Sequence, residues 1–572
     1  MYTPNLICKL PTFVLCGLLA ACTTAVDNPT TQERLSERSL ETLPHISKKD
    51  REESRSGTEK DARLMRIPHA PAAADQEMAS GSHPHYKAMT GLAGIRAPST
   101  SVDRERYGEI VDNGVKSVGQ VPVSTFSIDV DTGAYALVRR FLNQGQLPPK
   151  DAVRAEELIN YFNYDYPQPD GSTQPFSVTT EVGPTPWNAQ SHLVHVGIQG
   201  YEAVKKHRPA SNLVFLIDVS GSMNGQDKLP LLKSAFKLLV KQMNGNDRIS
   251  LVVYAGASGV VLEPTPGDQQ AKIVAALERL TAGGSTHGSA GIHLAYAMAE
   301  QGRIDRGINR VILATDGDFN VGTVDHQRLM ELIEAKRKQG ISLTTLGFGQ
   351  GNYNDHLMEQ LADKGNGNYA YIDTVNEAQK VLVEELNATL QMIAKDVKIQ
   401  IEWNPAMVAE YRLIGYENRL LAQEDFNNDK VDAGDIGAGH TVTALYEISL
   451  VGEPGQRLGG LRYGVSKSTV AVQDEIAHLR LRYKLPSEGS SHLIEQPILP
   501  HTLQNNLQRT SDNYRFSAAV AGFSQLLRGG RYTESFSFDD VTNLVMSARG
   551  KDRFGYRGEF QRLVNLAASL DG

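Results

Sequence analysis

Cysteine is almost missing from this chain. Its 572 residues include only Cys8, Cys16 and Cys22, so the body of the protein has no thiol for a disulfide framework or a cysteine-ligated zinc site. His-Glu-x-x-His, the Gly-x-Ser-x-Gly elbow and the Walker A pattern are also absent. The usual signatures of zinc peptidases, serine hydrolases and P-loop enzymes are therefore lacking. Lys and Arg number 58 against 66 Asp and Glu, a net charge of −8 with no basic cluster, which argues against nucleic acid as a partner. Aromatic residues are scarce at first: from Thr23 to Val118 only Tyr86 and Tyr107 occur. So little apolar surface cannot offset the entropy of ordering, and residues 22–118 read as a disordered tether.

The first residues suggest the compartment. One basic residue, Lys9, precedes a mostly apolar run from Leu10 to Ala20, too short for the roughly 20 residues a spanning helix needs. Small residues then lead into Cys22 as Leu19-Ala-Ala-Cys22. The pattern is that of a signal peptide over 1–21, and it resembles the lipobox of bacterial lipoproteins, which implies acylation at Cys22. Thr23 in place of Asp resembles lipoproteins sorted to the Gram-negative outer membrane. The expectation is a lipid anchor in the cell envelope, with more than one acyl chain for stable attachment.

Order is expected from near Val121. An N-terminal flanking segment, 119–208, combines a strand at Ser124–Val130, helices at Ala134–Leu142 and Asp151–Phe162, and strands at Phe176–Val182 and Leu193–Ile198. Asp129 and Asp131 offer a cation site, but Asp131 with Thr132 reads better as a helix N-cap.

Between 209 and 395 the pattern changes to strand, loop, helix. Apolar strands are expected at Leu213–Val219, Arg248–Ala255, Arg310–Thr315, Ile341–Gly347 and Asn368–Ile372, with a short edge strand at Gly259–Leu262. Between them lie helical stretches, the first capped by Asp227 and the last running from Ala378 to Leu390. This alternation predicts an α/β fold with a doubly wound, mostly parallel sheet.

Such sheets bind ligands at the C-terminal ends of their strands. The first strand ends in Asp218-Val-Ser-Gly-Ser222, whose spacing of two turns Asp218, Ser220 and Ser222 toward one point in an extended loop. An all-oxygen set with hydroxyls favours Mg²⁺. Ala282-Gly-Gly-Ser-Thr286 adds a hydroxyl on a Gly-rich loop, and Asp316 adds a carboxylate straight after a buried strand. Together these five residues resemble the metal-ion-dependent adhesion site of the von Willebrand factor type A domain. The resemblance implies that Ser220, Ser222 and Thr286 ligate Mg²⁺ directly, with Mn²⁺ or Ca²⁺ as substitutes, while Asp218 and Asp316 hold waters. Asp318 and Asn320 either hydrogen-bond those ligands or cap their loop, and His287 is expected to be a solvated neighbour.

Phe126-Ser-Ile-Asp-Val-Asp-Thr132, Asn188, Asp425-Phe-Asn-Asn-Asp429 and Gly437-Ala-Gly-His440 further resemble a bacterial subfamily of envelope lipoproteins with segments flanking the A domain. A β-rich segment is expected over 396–500 and a helical one over 501–572. Strands on both flanks suggest one antiparallel sandwich into which the A domain is inserted. Asp425, Asn427, Asp429 and Asp435 invite a calcium loop, but Lys430 and Ile436 stand where an EF-hand needs its Gly and final acid, so a polar hairpin loop is expected. With no general base beside the metal, the functional expectation is a non-enzymatic, membrane-anchored module that captures Asp or Glu of a partner protein. A metal-assisted hydrolase and a structural scaffold of an envelope complex are the alternatives.

Overall fold

The computed structural model describes residues 104–571, apart from 170–173, 203–207, 286–287, 318, 320–322, 386–387, 389 and 460–473. The signal peptide, Cys22, the tether to 103, Thr286, His287, Asp318 and Asn320 lie outside the described residues. In chain order, β1 (Lys116–Ser117), β2 (Val123–Ser127), α1 (Gly133–Asn143), α2 (Ala155–Asn160), β3 (Phe176–Thr185) and β4 (Asn188–Gly200) come first. The central domain comprises β5 (Ser211–Asp218), α3 (Leu229–Val240), β6 (Arg248–Tyr254), β7 (Ser258–Pro266), α4 (Gln270–Glu278), α5 (Gly288–Gln301), β8 (Ile308–Thr315), α6 (Thr323–Lys338), β9 (Ser342–Phe348), α7 (Asp355–Lys364), β10 (Tyr369–Ile372) and α8 (Val375–Gln379). Next come β11 (Met392–Trp403), β12 (Val408–Ile414), β13 (Gly434–Gly437), β14 (Thr441–Leu450), β15 (Ala477–Lys484) and β16 (Ser491–Ile498), and then helices at Asp512–Leu527, Phe538–Ser547 and Tyr556–Asp571.

The central sheet runs β10-β9-β8-β5-β6-β7, parallel except for the antiparallel edge strand β7. All eight residues of β5 are buried, as an uninterrupted apolar run at the middle of a two-sided sheet requires. Leu213, Phe215 and Ile217 face a layer that includes Leu232, Phe236 and Leu239 of α3. Val214 and Leu216 face the opposite layer, with Ile292 and Tyr296 of α5. Neighbouring residues of β5 thus serve opposite cores, and the strand end between them is left to the site.

The flanks form one sandwich. One sheet is ordered β1-β12-β14-β4-β3; the other is β13-β11-β15-β16, with β2 also paired to β11. Each sheet mixes strands from before and after the central domain, so the chain leaves the sandwich at β4 and re-enters at β11. Trp403, Tyr411 and Tyr446 fill the space between the sheets with Phe126, Ile399 and Leu481. The last three helices cover the outer face of the first sheet through a separate core in which Phe516, Phe523 and Phe560 meet Tyr135, Phe162 and Trp187. Ser511 and Ser537 cap the first two of these helices, the second with a full capping box to Asp540.

Four expectations about the bounds and caps of elements need correction here, and a fifth, for Asp131, is taken up with the site. Residues 104–118, assigned to the tether, belong to the folded body: Arg106 N donates to Tyr353 O (2.8 Å), and Val118 is buried in the sandwich. The helix expected over Asp151–Phe162 is only α2, preceded by a single turn at Lys150–Ala152, because Arg154 adopts an extended backbone and sends its guanidinium inward to Glu157 and Asp355. The helix expected to Leu390 gives way after α8 to a π-helical turn at Lys380–Glu384. Asp227 does not cap α3; the N-cap is Lys228, which makes no side-chain cap bond, with Pro230 harmless in the first turn.

Candidate metal centre

The parallel register of β5 and β6 places Asp218 beside Tyr254. Asp218 is fully buried. Its Oδ2 accepts hydrogen bonds from Tyr254 Oη (3.2 Å) and Thr315 Oγ1 (2.9 Å), while Oδ1 accepts from the backbone N of Ser220 (2.8 Å). Burial pushes its carboxyl up to about 6, against the pull of the Ser220 and Thr315 hydrogen bonds. The bond from Thr315 also fixes the neighbouring Asp316, since Thr315 ends β8 and Asp316 follows it at once.

Ser220 and Ser222 lie on the next turn, with their hydroxyls 2.9 Å apart. That turn is pinned on both sides of Ser220 by the adjoining Gly-rich loop: Gly221 N donates to Gly284 O (3.0 Å), and Gly283 N donates to Val219 O (2.8 Å). Gly284 adopts φ +87°, a left-handed conformation that favours glycine. The structure therefore joins Asp218, Ser220, Ser222 and Asp316 at the ends of β5 and β8, and it seats the loop leading to Thr286 against them.

Asp316 is 1% exposed. Its Oδ2 accepts a salt-bridging hydrogen bond from Lys228 Nζ (3.0 Å), and its Oδ1 is buried with no partner among the described residues. A buried carboxylate oxygen left unpaired is costly; Asp316 follows β8, the strand paired with β5, whose end leads into the Ser220–Ser222 turn, and an all-oxygen donor set of this kind fits Mg²⁺. Sequence reasoning missed Lys228, Tyr254 and the supporting role of Thr315. For Tyr254 the signal lay in strand register; for Lys228 there was none, because its contact crosses from the start of α3 to the end of β8.

A second carboxylate cluster lies where α1 and α2 meet α7. Oxygens of Asp129, Glu157 and Glu359 come within 4.8 Å of one another. Two arginines already occupy this cluster. Arg154 pairs with Glu157 and Asp355, and Arg419 pairs with Asp129 (3.0 Å), Asp131 (3.3 Å) and Asp363 (2.7 Å). The N-cap role expected for Asp131 is also corrected: its carboxylate accepts from Tyr369 N (2.8 Å), and the first turn of α1 is served by Glu157, which accepts from Ala134 N (2.7 Å). The Asp425–Asp429 stretch begins inside a short 3₁₀ turn, Gln423–Asn427, and leaves it at Asn428. Lys398 Nζ donates to its Asp425 and Asn428 carbonyls at 3.0 and 2.7 Å, which puts an ammonium where a calcium loop would need its ion.

Comparison with known proteins agrees with the fold. Residues 212–385 match the von Willebrand factor type A domain model, 101–195 match a model described as von Willebrand factor, and 388–570 match the C-terminal model of the uncharacterized protein YfbK. The uncharacterized protein YfbK of Escherichia coli K12 is 46% identical over 519 residues, covering 89% of this chain and 86% of that one. The chain belongs to the YfbK family. Other relatives match mainly part of a YfbK-type chain. The uncharacterized protein sll0103 of Synechocystis is 28% identical over 52% of this chain and 67% of its own. Human inter-alpha-trypsin inhibitor heavy chain H3 is 26% identical over 48% and 32% respectively. Among solved structures, a von Willebrand factor type A protein from Catenulispora acidiphila aligns with a TM-score of 0.39 at 16% identity, covering 69% of this chain and 91% of that one. The central domain of this YfbK-family chain is thus of the von Willebrand factor A type, a kind of domain that typically serves protein interaction.

Proposed function

We propose that this chain is a membrane-anchored protein-binding module that captures an acidic side chain of a partner through Mg²⁺. Asp218, Ser220, Ser222, Thr286 and Asp316 would hold the ion, with Mn²⁺ or Ca²⁺ able to replace it. The observation that carries the reading is the buried Oδ1 of Asp316, which has no hydrogen-bond partner among the described residues and follows the strand paired with the one that leads into the Ser220–Ser222 turn. When bound, the ion supplies an electrophilic point that a carboxylate can complete; the chain's own groups hold that point at the rim of a rigid sheet.

The lipid anchor at Cys22 and an outer-membrane location belong to the same reading, supported by Leu19-Ala-Ala-Cys22 followed by Thr23. Membrane attachment would leave the A domain free to meet a partner at the envelope. The test is a crosslinked pulldown from envelopes with and without Mg²⁺, comparing wild type, Asp218→Ala and the milder Ser222→Ala. Capture that needs Mg²⁺ and is lost in both variants is expected. Capture that survives both EDTA and Asp218→Ala would sink the reading.

A further inference from the structure

Among the described residues of the metal centre, Lys228 is the one that a cation site does not need. Its side chain is 12% exposed, and its ammonium lies 3.0 Å from Asp316 Oδ2, a carboxylate that is itself 1% exposed. The contact is built from several sides. As N-cap residue of α3, Lys228 has its backbone fixed by Lys228 N donating to Gly225 O (3.1 Å) and Leu232 N donating to Lys228 O (2.8 Å). Its methylene stem runs over Gly349, where an added Cβ would collide with Cγ and Cε and where φ is +71°. Gly349 is held in turn, because its carbonyl accepts from Arg140 Nη1 (3.3 Å) and from Tyr371 Oη.

We infer that Lys228 is a tethered counter-cation that competes with the divalent ion for Asp316 and so sets the metal affinity of the site. This inference rests on the metal-site reading proposed above. Asp218 and Asp316 are the carboxylates of the described site, and the lysine neutralises half of their charge. A divalent ion brought to the free Oδ1 of Asp316 meets a positive charge already hydrogen-bonded to Oδ2 of the same group. In a mostly buried setting that repulsion is weakly screened, so binding either displaces the ammonium or proceeds against it. Both routes weaken affinity. In the metal-free protein the same contact keeps Asp316 from being a buried charge with no partner.

Two properties should therefore move in opposite directions when the charge is removed and the stem kept. In Lys228→Met, Mn²⁺ used as the probe should bind at least tenfold more tightly by calorimetry. The same variant should melt at a lower temperature than wild type in EDTA and recover that loss when Mn²⁺ is added. Lys228→Arg keeps the charge and should stay within about threefold of wild type. Lys228→Gln serves as the second charge-removing variant should the methionine form not fold. Tighter Mn²⁺ binding in either neutral variant supports the inference, most strongly if wild type binds too weakly to detect. Equal or weaker binding in every neutral variant that melts cooperatively overturns it while leaving the metal reading intact. Absence of Mn²⁺ binding in wild type and both neutral variants overturns the metal reading, and the inference falls with it.

Discussion

Two groups of carboxylates in this molecule look alike in composition and differ in what is left over. At the junction of α1, α2 and α7, Asp129, Asp131, Glu157, Asp355, Glu359 and Asp363 surround Arg154 and Arg419, and the guanidinium donors are spent on them. Burial and mutual repulsion push Asp131 and Glu157 upward and Glu359 up to about 8, so protons and arginines together balance the charge. Among the described residues at the ends of β5 and β8 there are two carboxylates, one lysine and one unpaired oxygen. If the proposed Mg²⁺ binds at the second group and not at the first, unspent oxygen and not acidic density is what separates them.

The strongest way to break this comparison is to empty the closed cluster. Arg154→Met leaves Glu157, Asp355 and Glu359 without their shared cation inside the protein. Removing one partner of a buried charge network costs about 3–5 kcal/mol, the largest single effect expected here. Urea denaturation at pH 7 checks it. Because the cluster joins α2 of the flanking segment to α7 of the A domain, both should lose stability together. A loss under about 1 kcal/mol would mean that protons or water take over the role of the arginine.

Acid acts with opposite sign on the sandwich and on the metal centre. His195 of β4 is 1% exposed and its Nε2 lies 2.9 Å from Tyr166 Oη; burial lowers its pKa to about 4, against about 6.5 unperturbed. The unfolded chain then binds the extra proton between these values, so the stability His195 contributes is complete above pH 6.5 and is lost as pH falls toward 4. The amount is on the order of 3 kcal/mol. Asp218 runs the other way: its raised carboxyl, at about 6, favours the metal-free fold below pH 4, and that contribution disappears as pH rises through 6. Melting from pH 7.5 to 4 should therefore show an acid loss that His195→Gln reduces and Asp218→Asn deepens.

Much of the fold could be read from the chain because its signals are local. The run from Leu213 to Asp218 can only be a strand buried on both faces, and the turns after it carry their glycines where the backbone needs them. The sandwich was legible only as strands on two flanks. Its pairings, such as Thr443 of β14 opposite Gly197 of β4, cross the whole inserted domain and leave no short-range trace. The site divides in the same way. Asp218, Ser220, Ser222 and Asp316 sit at strand ends that periodicity locates, whereas Lys228, Tyr254 and the Arg154–Asp355 pair act across elements. Residues 104–118 misled because their polarity hides a few anchors: Glu105 pairs with Arg140, and Asn113 donates to Gly415 O (2.8 Å).

Metal removal probes the open site directly. If Mg²⁺ binds the folded state alone, a concentration one hundred times the dissociation constant adds about 2.7 kcal/mol of stability. Wild type should melt higher in Mg²⁺ than in EDTA at pH 7.5, and Asp218→Ala should show no such gap. Arg154→Met should keep the gap while melting lower in both conditions. A gap that vanishes in Arg154→Met and persists in Asp218→Ala would move the metal to the closed cluster and reverse the comparison.

The smallest effect is expected where charges are paired but wet. Arg337 at the end of α6 reaches Asp432, in the loop before β13, and links the A domain to the sandwich; the Asp432 side chain is 46% exposed. Solvent screening holds such a pair to about 0–1 kcal/mol, and Arg337 also donates to Asn366 Oδ1 (2.7 Å) within its own domain. Arg337→Ala should therefore shift the urea midpoint only slightly and leave the Mg²⁺ melting gap unchanged. A loss near that of Arg154→Met would show that the two modules are held together from this rim. The arginine cluster would then be a consequence of their docking and not its cause.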